Sequence, residues 1–456
     1  MTPTRLESLS YKLSSSDCLL TDLSHNDDYL HDATEERGRP SAVVIARSER
    51  DVVATLEYCF ENRIAVVPRG AGTGLSGGCV PADGSVVLST AQIDHIDIDA
   101  AGSLAVCGPG AITKDIQDLA ANVGLTYPPD PASYAESTIG GNIAEGAGGL
   151  RCKRYGVTKD YLIGLRAVTI DGQLIKTGYF SEDEAFYIGD VLTGSEGTLT
   201  VLTEVAVRLI PLPPRGITIL VAFDKPANAA KTVSDINSAG MVPLVMEFLD
   251  GGAVACSNEY EKAEGLDESV AGMLLLETDG HQMERQAEAI EAICRKNGCS
   301  YITREQDPDR AENLWKVRRN ISNAIKAASK ARYSEDVAVP NSKFPDLVAF
   351  VAEMNARSPL RIHSFGHAGD GNLHVNFLSS SGSTEETTLI EKGIETVLKK
   401  ALELGGTLSG EHGIGTAKRD YLHLEFDPPT LHAMKAFKIV FDPLGLLNPG
   451  KIFSEK

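Results

Sequence analysis

Four short windows, residues 70–78, 140–149, 366–371 and 405–415, hold 18 of the chain's 43 glycines in 36 residues. Glycine at that density costs helix and strand interiors dearly, and it suits backbone that must turn sharply or lie bare against a ligand. The first window follows the apolar run Ile64–Val67, which reads as a strand, and spells Pro68-Arg69-Gly70-Ala71-Gly72-Thr73-Gly74-Leu75-Ser76-Gly77-Gly78. Successive amides without side chains form an anion nest that can cradle a pyrophosphate. The loop is neither a GxGxxG opening a helix nor a P-loop, and a tight turn is the plain alternative. Ser137-Thr138-Ile139-Gly140-Gly141-Asn142-Ile143-Ala144 repeats the theme with hydroxyl and amide groups suited to ring heteroatoms, and Gly194-Ser195-Glu196-Gly197-Thr198-Leu199 is a third such piece.

The chain of 456 residues is long enough for two or three domains. Its net charge of −20 repels phosphate backbones and anionic headgroups, which argues against general nucleic-acid or membrane-surface binding. An anionic substrate needs a local basic site. Eight scattered cysteines without a CxxC pair point to reduced thiols, not to a disulfide framework, a zinc ribbon or an iron–sulfur cluster. The N-terminus lacks the apolar core of a signal peptide, and no apolar run approaches the ~20 residues of a spanning helix. The expectation is a soluble cytoplasmic protein, reaching a membrane only peripherally through a partner.

Strand and helix signals alternate from Pro40 onward. Asp51–Asn62 reads as a helix capped by Ser48, and Ile112–Val123 as another. The Pro211-Leu212-Pro213-Pro214 run marks a boundary. Beyond it, strand Thr218–Phe223, helix Ala227–Ala239, strand Val242–Leu249, strand Gly272–Glu277 and helix Met283–Asn297 have the flavour of an α+β sheet domain. The expected division is an extension over 1–35, one domain over 36–214, a second over 215–425 and a closing segment over 426–456 that packs back on the first.

Within the second domain, Gly366-His367-Ala368-Gly369-Asp370-Gly371-Asn372-Leu373-His374-Val375-Asn376 sets two histidines across a turn signal. His374 and Asn376 share one face if the run is a strand. Glu411-His412 sits between glycines in a further loop. Two imidazoles and a carboxylate suffice for a divalent metal with open positions; ordinary buried histidines are the alternative. Trp315-Lys316-Val317-Arg318-Arg319 offers local positive charge, either to grip a carboxylate through a planar guanidinium or merely as a solvated helix face.

The ordered motifs PRGAGTGLSGG, YPPDPAS, STIGGNIAEGAGG, YGVTKD and LTGSEGTLTVLTEVAVRLIP resemble the FAD-binding domain of the vanillyl-alcohol oxidase and p-cresol methylhydroxylase superfamily. GHAGDGNLHVNF, GEHGIG and FDPLGLLNPGKIF resemble its FAD-linked D-2-hydroxyacid dehydrogenase branch, which includes D-lactate and glycolate dehydrogenases. The likeness runs from about Pro40 to Phe453. It implies an α+β chain with a two-lobed FAD-binding domain, an α/β-sandwich substrate domain and a C-terminal segment returning to the flavin.

By that resemblance Pro68, Arg69, Gly70, Ala71, Gly72, Thr73, Gly74, Leu75 and Ser76 wrap the pyrophosphate. Asp130 and Ser133 join the cofactor site, and Thr138, Ile139, Gly140, Gly141, Asn142 and Ala144 line the isoalloxazine. Glu196 and Gly197 help hold the adenine end, and Asn448 and Lys451 return to the flavin. Thr73 stands where some relatives carry a flavin-linking histidine, so the implied FAD is non-covalent.

The same resemblance assigns His367, His374 and Glu411 to a divalent metal, zinc first with manganese or iron as alternatives. It makes His412 the general base and Arg318 the substrate-carboxylate clamp, with Ser322 and Asn376 beside the substrate. Relatives that handle a second substrate carboxylate add a basic residue where this chain has Ser322 and Ser334, which favours a short mono-acid such as lactate or glycolate. The implied reaction is oxidation of a D-2-hydroxy acid to the 2-oxo acid. With no nicotinamide motif in view, electrons pass to a quinone, a cytochrome, an electron-transfer flavoprotein or an iron–sulfur subunit, in a homodimer or a hetero-complex. D-2-hydroxyglutarate oxidation and the FAD subunit of a glycolate oxidase complex are the alternatives.

Overall fold

The structure, a computed structural model, describes residues 3–454 except 35, 184–186 and 262–269. It divides into two compact units. The first comprises residues 1–148, 156–212 and 411–456; the second comprises 149–155 and 213–410.

The first unit is two-lobed. In one lobe the strands Ala42–Ile45, Val86–Ser89 and Val66–Arg69 run parallel, with the short strand Leu19–Leu20 at the edge. Helix Glu49–Asn62 forms as expected, with Ser48 capping the amide of Asp51. It buries Val52, Leu56 and Cys59 against Val44, Val66 and Leu88. The other lobe is an antiparallel sheet in the order Ile96–Asp99, Leu104–Cys107, Val201–Arg208, Leu162–Val168, Leu174–Gly178.

The chain's two ends belong to this unit more intimately than the expected division allows. Leu6, Leu9 and Leu13 enter the core of the parallel lobe, and the Ser14 amide and hydroxyl both donate to the Asp51 carboxylate at 2.7 and 2.9 Å. Leu6, Leu9, Leu13 and Cys18 are therefore core material of the first unit. The chain returns at Glu411 rather than 426, because the Ile414 and Gly415 amides donate to Glu196 (2.7 and 2.6 Å) and the Thr416 and Ala417 amides to the Ser76 carbonyl.

The second unit is an α/β sandwich around one antiparallel sheet of seven strands among the described residues. Their order is Tyr301–Glu305, Ile217–Phe223, Gly272–Thr278, Val245–Asp250, Arg361–Gly366, Asn372–Ser379, Ala331–Ala338. One face buries Val245, Leu249, Met273, Phe365 and Leu378 against helices Gly251–Glu261, Pro308–Arg319 and Ile321–Ala327. Trp315 lies in that layer. The strand Ala331–Ala338 has no apolar alternation to announce it: its pattern Arg-Tyr-Ser-Glu-Asp is polar, and only pairing with Asn372–Ser379 makes it a strand.

Candidate functional site

A cleft with about 1270 Å³ of empty space, its open mouth included, runs through the first unit. Its wall is the predicted glycine loop, Pro68–Leu75, together with Thr138, Gly140–Asn142, Ser133, Ala144, Glu196 and Gly197. Two glycines show why. Gly72 has φ +79°, and a Cβ there would meet the Arg69 guanidinium. A Cβ on Gly78 would stand 2.6 Å from Glu145 Oε1. Side chains at these positions would fill or distort the cleft. Thr138 caps helix Ile139–Glu145 by accepting from Gly141 N, and Asn142 Nδ2 donates to Thr113 Oγ1 at 2.7 Å. Those bonds fix the wall beside which a flat ligand would lie.

The cleft fits FAD by its polar atoms as well as its bare backbone. Ser137 and Glu145 line it, and their Oγ and Oε2 atoms are buried with no hydrogen-bond partner among the described residues. Such atoms are costly unless a ligand or water meets them.

Several expected cofactor residues build the cleft without lining it. The Ser76 carbonyl holds the returning segment, Ile139 is fully buried in the core, and Asp130 is buried. The Asn448 amide donates to the Gly78 and Glu196 carbonyls (2.8 and 2.7 Å), and Lys451 Nζ donates to the Val80 carbonyl (2.8 Å). Their role is to lace the C-terminal segment onto the glycine loop. Glu196, at φ +51°, lines the cleft, and its carboxylate ties down the loop that follows Glu411 and His412.

That tie matters because Glu411 and His412 themselves line the cleft. Glu145, which sequence reasoning missed, lines it too. Burial, with the Glu196 and Asp32 carboxylates next in effect, pushes its pKa well up. Burial also pushes Glu196 up, against the two amide bonds that favour its charge.

The predicted residues of the second unit gather on the helix-covered face of its sheet. The strands Arg361–Gly366 and Asn372–Ser379 form a hairpin whose turn is closed by Gly371 at φ +76°. It brings the His367 and His374 rings perpendicular, with centroids 5.4 Å apart. His367 Nδ1 lies 2.7 Å from Glu247 Oε1, and His374 Nδ1 lies 3.5 Å from Asp336 Oδ1. For His367 the carboxylate bonded at Nδ1 turns Nε2 toward coordination, the usual second layer of a metal-bound imidazole. The pair therefore suits a divalent metal by donor chemistry.

Glu247 is the other residue the sequence reading missed. It is fully buried, and its second oxygen accepts from Arg318 Nε at 2.5 Å. Burial would raise its pKa, but the Arg318 and His367 charges hold it below the usual carboxylate range. Arg318 also stacks over the Phe365 ring at 5.0 Å. The signal was present: an acidic residue inside Val-Met-Glu-Phe-Leu, an otherwise apolar strand. Asn376 is fully buried, with its amide donating to the His363 and His374 carbonyls and its oxygen accepting from Arg332 Nε.

Comparison with known proteins agrees with this construction. Residues 40–178 match the FAD binding domain family, and residues 212–452 match the family described as FAD linked oxidases, C-terminal domain. The glycolate oxidase subunit GlcD of Bacillus subtilis is 40% identical over 433 residues, 94% of this chain and 92% of that one. A D-lactate dehydrogenase of Anaerostipes hadrus is 32% identical over 94% of this chain and 93% of its own. Among solved structures, p-cresol methylhydroxylase with substrate bound superposes with a TM-score of 0.79 at 17% identity, covering 100% of this chain and 98% of that one. A cleft walled by bare backbone, two family matches that span most of the sequence and full-length relatives lead to one conclusion: the chain belongs to the FAD-linked oxidases, and it is an FAD-dependent oxidoreductase.

Proposed function

We propose that the protein oxidises a short D-2-hydroxy acid, D-lactate or glycolate, to the 2-oxo acid. The observation that carries this reading is the presence of His412 in the lining of the same cleft that suits the flavin. FAD held along the Pro68–Leu75 loop and the Thr138–Asn142 wall would supply the two-electron acceptor for the α-hydrogen. His412 takes the hydroxyl proton, a task suited to an imidazole near neutral pH. Arg318 receives the substrate carboxylate, and Glu247 fixes the direction of its guanidinium.

His367 and His374, with Glu411 as third ligand, would hold a divalent metal, zinc with manganese or iron as alternatives, whose charge favours ionisation of the hydroxyl. Electrons leave to a quinone, a cytochrome, an electron-transfer flavoprotein or an iron–sulfur subunit. The relatives named as glycolate oxidase subunits support the hetero-complex version, in which this chain is the flavin-bearing member. A homodimer and oxidation of D-2-hydroxyglutarate are the alternatives carried from the sequence. Among the described residues no helix is long and apolar enough to cross a membrane; contact with a membrane would then run through a partner of a cytoplasmic protein.

The test is anaerobic bleaching of the flavin at about 450 nm with a panel of D- and L-2-hydroxy acids. Rapid bleaching by D-lactate or glycolate, with the L-isomer of lactate inert, is the expected result; no bleaching by any member overturns the reading. Prolonged dialysis against EDTA should lower the bleaching rate by at least about tenfold while FAD stays bound, and added Zn²⁺ or Mn²⁺ should restore it. Full activity in metal-free protein would remove the metal from the proposal.

A further inference from the structure

Arg332 is the feature that the proposed reaction leaves unused. It lies on the strand Ala331–Ala338, and its guanidinium makes three hydrogen bonds, all to neutral acceptors. Nε donates to Asn376 Oδ1 (2.7 Å), Nη1 to the Ser322 carbonyl (3.0 Å) and Nη2 to Ser334 Oγ (3.2 Å). Arginine has five N–H donors, so one on each terminal nitrogen remains. No carboxylate among the described residues pairs with it, in contrast to Arg318 on Glu247. Desolvation alone acts on its pKa and lowers it to about 10. In a chain carrying −20, a largely desolvated cation without a counter-charge is costly and is held in place by three fixed acceptors.

Its position follows from register. Ser334 pairs with Asn376 and Asp336 with His374 across the same two strands, and Arg332, Ser334, Asp336, His374 and Asn376 share one face. Asn376 and its cross-strand neighbour Ser334, two of the three partners of the guanidinium, therefore lie one two-residue step, about 7 Å, along the sheet from His374. We propose that Arg332, oriented by Ser322, Ser334 and Asn376, binds a carboxylate of the substrate in addition to Arg318. Two sources supply that group: the carboxylate next to the hydroxyl-bearing carbon, or a second one at the far end of a dicarboxylic hydroxy acid. The absence of a basic residue at 322 and 334, which pointed to a mono-acid, therefore loses its force: Arg332 places a cation between those same serines.

This inference rests on the 2-hydroxy-acid reading, so its test has one arm that needs no turnover. In the FAD-loaded protein, Arg332→Met should raise KM by about ten- to a hundredfold with kcat little changed, the loss expected when a charge-assisted bond disappears. Arg332→Lys should recover part of it. A rise for D-lactate, D-malate and D-2-hydroxyglutarate alike assigns Arg332 to the carboxylate beside the reacting carbon; a rise for the two diacids alone assigns it to the distal one. Unchanged KM for all three overturns the proposal. In the second arm, calorimetry with propionate and glutarate, which cannot be oxidised at a hydroxyl, should show binding that Arg332→Met weakens by a similar factor. If no hydroxy acid bleaches the flavin but this binding difference holds, the reaction is wrong and the carboxylate site stands. If binding is equal in both proteins, the site falls.

Discussion

Replacing His412 by Asn leaves FAD bound and slows flavin reduction by a hydroxy acid by about 10²- to 10⁴-fold, the usual contribution of a positioned base. Asparagine is close in size to the imidazole and keeps a polar group in the cleft lining, so the wall is preserved. What it cannot do is accept a proton. Glu196 holds the loop through the Ile414 and Gly415 amides, and both bonds are backbone bonds that the substitution does not touch. Anaerobic stopped-flow mixing separates the reductive step from reoxidation. FAD content equal to wild type, with reduction slowed at least about a hundredfold, is the expected pair of results. Reduction at near-normal rate would move the base elsewhere, with Glu145 the next group to test.

Replacing Glu247 by Ala has the largest expected cost in stability, about 3–5 kcal/mol, because it strands the Arg318 charge in the interior and removes the oxygen at His367 Nδ1. Arg318 is 5% exposed and Glu247 0%. The chain's single tryptophan, Trp315, belongs to the core layer beside them. Its emission during urea unfolding therefore reports the second unit separately, which matters because a chain of two units need not unfold in one step. Glu247→Gln keeps hydrogen-bonding atoms and loses only the charge; it should cost less stability while lowering metal affinity about ten- to a hundredfold, the typical effect of losing a carboxylate behind a metal-bound histidine. Wild-type stability in Glu247→Ala would show that Arg318 does not depend on this partner.

What could be read in advance was whatever a local pattern encodes. The glycine loops were visible because bare backbone is a compositional signal, and the first two now wall the cleft. The hairpin of His367 and His374 was visible because Gly-Asp-Gly-Asn announces a turn. The apolar runs Ile64–Val67, Thr218–Phe223, Val242–Leu249 and Gly272–Glu277 located four strands to within a few residues.

The rest depends on partners distant in sequence. Glu247 meets His367 across 120 positions and Arg318 across 71, and no window contains both. Arg332 sits in a polar run whose meaning appears only when Asn372–Ser379 pairs with it. The Glu196 and Asn448 side chains also tie protein to protein, over 218 and 252 positions, and motif likeness does not encode such bonds. Leu6, Leu9 and Leu13 have helical spacing, a core-facing periodicity too short to stand out until the parallel lobe covers it.

The lacing of the closing segment onto the glycine loop bears on how the molecule is made. The Val66 amide donates to the Leu446 carbonyl and the Asn448 amide to Val66, so the strand that launches the glycine loop completes its edge with residues synthesised some 380 positions later. A ribosome-bound chain holding residues 1–212 has most of the first unit's sequence but lacks Glu411, His412 and the Asn448 and Lys451 ties. Contacts of such long sequence separation close late, after the loop entropy has been met. The second unit, contiguous over 213–410 apart from residues 149–155, has its sequence complete before then. The cleft therefore gains its lining at Glu411 and His412, and the ties of Asn448 and Lys451, only after the rest of the first unit's sequence has been made.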